Sequence, residues 1–487
     1  MAGPRIEEQP LRIYFIPFLA SGHMIPLCDI ARFFSSRGHH ATIITTPANA
    51  QILHPFLSDH FHIHTVPFPS QEVGLPDGIE IMSFANHTNP IKVFEGAMLL
   101  RGPMELFVEQ NPPDCVVADF IFPWVDDLAN KLHIPRFAFN GFPLFAVCAF
   151  YSFHANNNPV LDDDDDDSNS SYVIQDFPHH ITMKASPPKD LLVVVEELQK
   201  TMFKSYGLIV NNFVELDGEE YIQHYEKTTG HKAWHLGPAS LIHTTEKEKA
   251  ERGQKSVVSM HECLRWLDSK KPNSVLYICF GSLCDFPDKQ LYEIACGIEA
   301  SGHGFIWVVS EKTGKEDESE EDKEKWLPKG FEERNKMKGI IIRGWAPQVL
   351  ILGHVAVGAF LSHCGWNSTM EAVSEGVPMI TWPIHSEQFF NEKLISAVRG
   401  IGVEVGAQVW NHAMGSRKRE KLVGRDQIEK AVRRLMDDGE GEEIRMHAQE
   451  FGKKARQAVQ QGGSSHNNLT ALIDHLKRLR DHKSLHS

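Results

Sequence analysis

No apolar run in this 487-residue chain is long enough to cross a bilayer, and no charged-then-apolar leader opens it. The first ten residues are polar and charged, and the apolar run at 13–19 is too short and too strand-like for a signal-peptide core. Cysteine is sparse: eight residues, Cys28, Cys115, Cys148, Cys263, Cys279, Cys284, Cys296 and Cys364, with no CxxC pair. That scatter argues against a disulfide frame or zinc site and fits reduced thiols in the cytoplasm. Positive charge is also short. The 49 Lys and Arg against 64 Asp and Glu leave a net charge of −15, which argues against nucleic acid and anionic membrane as partners. Three motifs are absent as well. The first strand-to-helix turn reads LASGHM instead of GxGxxG, and the chain has no GxxxxGK[ST] loop and no GxSxG elbow. Nicotinamide, P-loop and α/β-hydrolase chemistries each lose the element they need.

What the chain has is alternation of strands and helices. Apolar runs at 11–18 and 41–46 flank a helical pattern that begins near Pro26 and stops at Gly38. This β–α–β opening predicts a parallel sheet, and near-continuous apolar strands predict that both its faces are covered. Similar strands are expected at 63–68, 114–118, 136–140, 207–210 and 233–236, then at 274–280, 305–310, 339–343, 357–362 and 379–382. The length suits two domains. We place the first at 1–241, a polar linker at 242–261, the second at 262–461 and a last helix at 462–487. Six consecutive aspartates at 162–167 read as a solvated loop. They contain DxD trivially, so they carry no metal-site reading.

The most informative stretch is WAPQVLILGHVAVGAFLSHCGWNSTMEAVSEGVPMITWPIHSEQ, residues 345–388. It reads as strand, tight turn, helix, strand. His363 to Trp366 form the turn, Asn367 or Ser368 opens the helix, Ser368 and Glu371 have capping-box spacing, and Gly376 stops the helix. Backbone N–H groups, small polar side chains and a histidine at a helix N-terminus suit a phosphate. Taken singly, His363 reads as a core histidine, and Ser368 with Glu371 as a cap.

Over its full length the stretch resembles the signature box of plant secondary-product glycosyltransferases, which move sugar from a UDP-sugar to a small lipophilic acceptor. The resemblance implies the GT-B form of the α/β class: two Rossmann-like domains facing across a cleft, with the last helix crossing back to the first domain. It implies that Trp345 stacks on uracil, that Ala346 and Gln348 contact uracil and ribose, and that Glu371 accepts from the ribose hydroxyls. His363, Gly365, Asn367, Ser368 and Ser282 would hold the diphosphate. Glu387 and Gln388, helped by Trp366, would bind the sugar, and Gln388 points to UDP-glucose. His385 and Ser386 depart from the usual aromatic and small pair before Glu387. FLASGHMIPLCDIAR and PDCVVADFIFPWV resemble the segments with the family's catalytic histidine, here His23, and its assisting aspartate, here Asp119. Both lie where a strand ends, so an open sheet would bring them to one edge. A helix N-terminus disfavours imidazolium, so His23 is expected neutral and ready to act as base.

These readings combine into inverting glucosyl transfer to a hydroxyl or carboxyl of a lipophilic metabolite, triterpenoid sapogenins first, with flavonoids and abscisate as alternatives. Phe142, Phe84 and Phe145 are the candidate acceptor-pocket residues. The expectation is a monomeric cytoplasmic enzyme with UDP-glucose as co-substrate and no metal. A UDP-sugar binder without catalysis is the competing class; it would keep the box and lose His23 and Asp119.

Overall fold

The structure is a computed structural model that describes residues 9–85, 90–156, 171–253, 260–284, 286–310, 325–411 and 421–486. The aspartate run at 162–167 lies outside them. Fifteen strands are present among the described residues: β1 Arg12–Ile16, β2 His40–Thr45, β3 Phe61–Thr65, β4 Cys115–Asp119, β5 Arg136–Asn140, β6 Tyr172–Val173, β7 Thr182–Met183, β8 Gly207–Val210, β9 Ala233–His235, β10 Val275–Cys279, β11 Gly304–Val309, β12 Gly339–Arg343, β13 Val357–Ser362, β14 Met379–Thr381 and β15 Gly402–Glu404.

Seven of them form one sheet in the order β3-β2-β1-β4-β5-β8-β9, and six form a second in the order β12-β11-β10-β13-β14-β15. Every pairing in both sheets is parallel, and only the short β6–β7 ribbon is antiparallel. The apolar strands explain the choice. All five residues of β4 and of β5, and all six of β13, are buried, as strands covered by helices on both faces must be. Chain order reverses between β1 and β4 in the first sheet and between β10 and β13 in the second. Loops leaving such neighbours part to opposite faces and open a crevice at the carboxyl edge.

The last helix, Ser464–His486, returns to the first sheet. Leu469, Leu472, Ile473 and Leu476 share a core with Leu11, Ile13, Trp234 and Leu236. Side chains of this size are each worth about 1.5–3 kcal/mol when fully buried, so the helix is firmly docked.

Two local expectations change. The polar run beginning at 242 is not a plain linker. It carries a helix, Glu246–Glu251, started by a full capping box in which the Thr245 side chain accepts from the Glu248 N–H and Glu248 reaches back. The T-x-x-E spacing signalled this, but the absence of large apolar residues masked it. The helix after β13 runs Trp366–Glu375 with Gly365 as its N-cap and no side-chain cap. Ser368 and Glu371 therefore lie inside the helix and are no capping box; the turn ends earlier than expected. Gly376 does stop the helix, in the left-handed region at φ 75°.

Candidate active site

His23 is the third residue of the helix Ser21–Ser35, which follows β1, and Asp119 ends β4. Ile16 pairs with Ala118, so the two strand ends are level at the crevice. The His23 Nδ1 lies 2.8 Å from Asp119 Oδ2, with the carboxylate fully buried and the imidazole about one-fifth exposed. The other Asp119 oxygen accepts from the Ile121 N–H at 3.1 Å, which fixes the carboxylate. An acceptor at Nδ1 places the ring proton there and leaves Nε2 as the basic nitrogen.

The helix N-terminus does not set the direction of the His23 pKa shift. Burial alone would lower the His23 pKa, but the Asp119 charge, the hydrogen bond to it and Glu387 outweigh burial, and the value ends above the ordinary one. The adjacent carboxylate wins over the helix N-terminus because it is a full charge in direct contact. Aromatic rings wall the pair. Phe18 meets His23 edge-on at 5.5 Å and Phe120 stacks at 6.1 Å, while Phe142 meets Phe120 edge-on at 5.5 Å. Phe120 was missed in the sequence, although it directly follows Asp119. Phe145 is not a pocket wall. It is fully buried against Phe177 and Tyr221 in the core. Phe84 falls in the short helix Met82–Ala85, and its side chain lies outside the described residues.

The second sheet places its own groups at the matching crevice. Gly281 and Ser282 follow β10, and His363 follows β13. Gly281 has φ 75°, and a Cβ there would come within 2.7 Å of the His363 ring. A Cβ at Gly365 would also meet the ring, so both positions need glycine to admit the histidine. The His363 Nδ1 is buried without a partner among the described residues. Burial and then His385 lower its pKa to about 3, so the ring is neutral. An unpartnered nitrogen beside the uncapped N-terminus of Trp366–Glu375 suits an anion such as a diphosphate.

The remaining donor residues are held in a network. The Gln348 amide nitrogen donates to Ser368 Oγ at 3.1 Å and to Glu371 Oε2 at 2.7 Å. Ala346 is buried beside them and Trp345 is half-buried. Glu371 also pairs with Arg252, a residue the sequence reading passed over. Arg252 Nε lies 2.8 Å from Asp29 on the His23 helix, so one buried guanidinium joins carboxylates from both halves of the molecule. The next residue, Gly253, packs against the Trp345 ring, where a Cβ would approach to 2.5 Å.

Two predicted sugar or phosphate residues also bind the opposite half, and a third lies near it. The Asn367 amide donates to the Gly22 carbonyl, next to His23, at 2.8 Å. The Trp366 indole N–H donates to the Asn211 carbonyl at 2.9 Å, so it is engaged in docking the two halves. Glu387, buried, accepts from Asn391 at 3.1 Å and lies close enough to His23 to share its electrostatic field. Burial raises its pKa to about 7, against the pull of hydrogen bonds and His23. Gln388 is buried with both ends of its amide engaged.

A histidine–aspartate pair at one switch point and an uncapped helix N-terminus at the other fit the construction of a GT-B nucleotide-sugar transferase. The family model described as UDP-glucoronosyl and UDP-glucosyl transferase matches residues 192–423. UDP-glucosyl transferase 73CC6 of Saponaria officinalis is 46% identical, over 98% of this chain and 99% of the relative. Scopoletin glucosyltransferase of Nicotiana tabacum is 42% identical, over 95% and 97%. Among solved structures, Glycyrrhiza uralensis UGT73P12 complexed with glycyrrhetinic acid 3-O-monoglucuronide superposes with a TM-score of 0.88 at 37% identity, covering 98% of both chains. Medicago truncatula UGT71G1 complexed with UDP-glucose gives 0.77 at 25% identity, covering 97% and 99%. The chain belongs to plant family 1 of the UDP-glycosyltransferases and is a UDP-dependent glucosyltransferase.

Because, despite burial, the His23 pKa is raised by Asp119, and burial lifts that of Glu387 to about 7, the rate is expected to fall as pH drops and both groups take up protons. In the roles the resemblance implies, each must be deprotonated, one to act as base and the other to accept from the sugar. Asp119→Asn removes the charge that raises the His23 pKa, so its acid limb moves to lower pH while kcat drops. Glu387→Gln makes the limb shallower. Plots of log kcat/KM against pH for the three proteins measure this.

Proposed function

We propose that the chain transfers glucose from UDP-glucose to a hydroxyl or carboxyl of a lipophilic plant metabolite, a triterpenoid first, with inversion and without a metal. The observation that carries the mechanism is the 2.8 Å His23–Asp119 pair. His23 Nε2 takes the acceptor proton, and Asp119 holds the tautomer and stabilises the imidazolium. The acceptor oxygen attacks the anomeric carbon from the face opposite UDP, so an α-linked donor yields a β-glucoside. Negative charge growing on the diphosphate meets neutral His363, Ser368, Ser282 and the first-turn N–H groups of Trp366–Glu375. Glu371 and Gln348 hold the ribose and Trp345 the uracil. Glu387 and Gln388 hold the sugar.

The triterpenoid reading is supported by the 0.88 TM-score to a structure carrying glycyrrhetinic acid 3-O-monoglucuronide, a triterpenoid glycoside. Aromatic rings beside His23 suit such an apolar skeleton. The second reading, a phenolic acceptor, is favoured by relatives named for scopoletin and for flavonoid 3-O-glucosylation. The test is turnover with UDP-glucose, UDP-galactose, UDP-xylose and UDP-glucuronate against triterpenoids, flavonoids, coumarins and abscisate, with EDTA present. Triterpenoid glucosides at undiminished rate are expected. Transfer only to phenolics would favour the second reading. Loss of activity in EDTA would overturn metal independence, and UDP-sugar binding without any transfer would make the chain a binder.

A further inference from the structure

The turn between β14 and the helix Gln388–Lys393 holds a tightly determined group of side chains. The Gln388 Oε1 accepts from two backbone donors, the Ile384 N–H at 2.9 Å and the His385 N–H at 3.1 Å. Backbone N–H groups only donate, so the amide orientation follows from chemistry: the oxygen faces the turn and the nitrogen faces away. That nitrogen lies 3.3 Å from His385 Nδ1. The same Nδ1 lies 3.0 Å from Ser386 Oγ. An Nδ1 facing an amide N–H must be the unprotonated nitrogen, so the neutral ring carries its proton on Nε2 and Ser386 is also a donor to Nδ1. Burial keeps the ring neutral at working pH, with a pKa lowered to about 4. Ser386 sits in the left-handed region at φ 55°, a conformation that persists in a non-glycine residue only where its surroundings enforce it.

We propose that His385 is a specificity-determining residue for the donor sugar: with Oε1 held by two backbone donors, its Nδ1 occupies one Gln388 amide hydrogen and leaves the other as the single group offered to the sugar. The proposal rests on the reading of Gln388 as a sugar contact. With both lone pairs of Oε1 engaged and one amide hydrogen on His385, Gln388 offers the sugar a single N–H and no acceptor. A hydroxyl facing it must accept that bond and give its own proton elsewhere. The neighbouring Glu387 carboxylate is the acceptor at hand. An amide with both hydrogens free would serve hydroxyls in more than one position, which blurs epimers. One with a single free hydrogen is left with an unpartnered buried N–H when the hydroxyl points the other way, and that is costly.

The test is the ratio of kcat/KM for UDP-glucose to that for its C4 epimer, UDP-galactose, with UDP affinity measured by calorimetry alongside. His385→Phe keeps a ring and removes the acceptor; the ratio is expected to fall about tenfold, the worth of one hydrogen bond. His385→Asn places an amide oxygen near the Nδ1 position and is expected to restore the ratio, which a merely space-filling role would not do. UDP affinity is expected to stay constant throughout. If the phenylalanine variant loses UDP affinity through misfolding, His385→Leu makes the same comparison. An unchanged ratio in the folded variant overturns the role of His385. Absence of UDP binding in the unsubstituted protein would instead overturn the functional reading beneath it.

Discussion

His23→Ala is expected to lower kcat by about 10²–10⁴-fold while leaving UDP affinity unchanged, because positioned general-base catalysis is worth that much and the base does not hold the nucleotide. The prediction depends on geometry specific to this chain. His23 rises from the first sheet, whereas the groups assigned to uracil, ribose and diphosphate belong to the second. The side chain touches Asp119, Phe18 and Phe120, all in the first half. Steady-state kinetics with UDP calorimetry separates the two effects. Equal losses of kcat and UDP affinity would mean that the substitution had opened the interface at Gly22, where Asn367 is bonded, and had not simply removed a base.

Arg252→Ala is expected to destabilise the protein by about 3–5 kcal/mol, the cost of breaking a buried ion pair and leaving its partners uncompensated. The guanidinium is 7% exposed between Asp29 and Glu371, themselves nearly fully buried. For domains of this size the loss corresponds to a fall in melting temperature on the order of 10 °C. The pH dependence has a definite sign. Although burial raises the Asp29 pKa, Arg252 and His243 pull it below its ordinary value. Its contribution is therefore present above the unfolded carboxylate pKa and is lost as pH falls through the lowered folded one. The gap in melting temperature between the two proteins should be widest at neutral pH and close in acid. A constant gap across the range would place the destabilisation elsewhere, in lost packing of the side chain.

Much of the fold was legible because parallel strands buried on both faces are apolar runs bounded by turn residues. The strands ending at Asp119 and Ser362 stood out for that reason, and the positions of His23 and His363 beyond strand ends followed. The signature stretch located the donor residues, since their spacing is fixed by one strand–turn–helix–strand unit. Other features were hidden for physical reasons. Arg252 lies in a polar segment whose composition looks like solvent-exposed linker, yet its guanidinium is desolvated by partners 223 and 119 positions away. Such pairing leaves no periodic trace. The direction of the His23 pKa shift depends on a balance between burial and two carboxylates, one from each half, and only coordinates reveal that balance. Phe145 and Phe142 look equivalent in sequence, but the helix Leu144–Asn156 turns Phe145 into the core, and Phe142 precedes it at the crevice. The capping-box spacing of Ser368 and Glu371 misled because a box of that form is read from types and intervals, whereas the helix here begins at Trp366 on a glycine cap.

The measurement that bears most directly on the central claim is the anomeric configuration of the glycoside formed from UDP-α-glucose, read from the H1–H2 coupling in the proton NMR spectrum of the purified product. Direct displacement, with His23 as base and UDP leaving from the opposite face, predicts the β-glucoside alone, with the large coupling of trans-diaxial protons. An α-glucoside, or a mixture formed by the enzyme, would contradict single in-line attack and with it the role assigned to the His23–Asp119 pair.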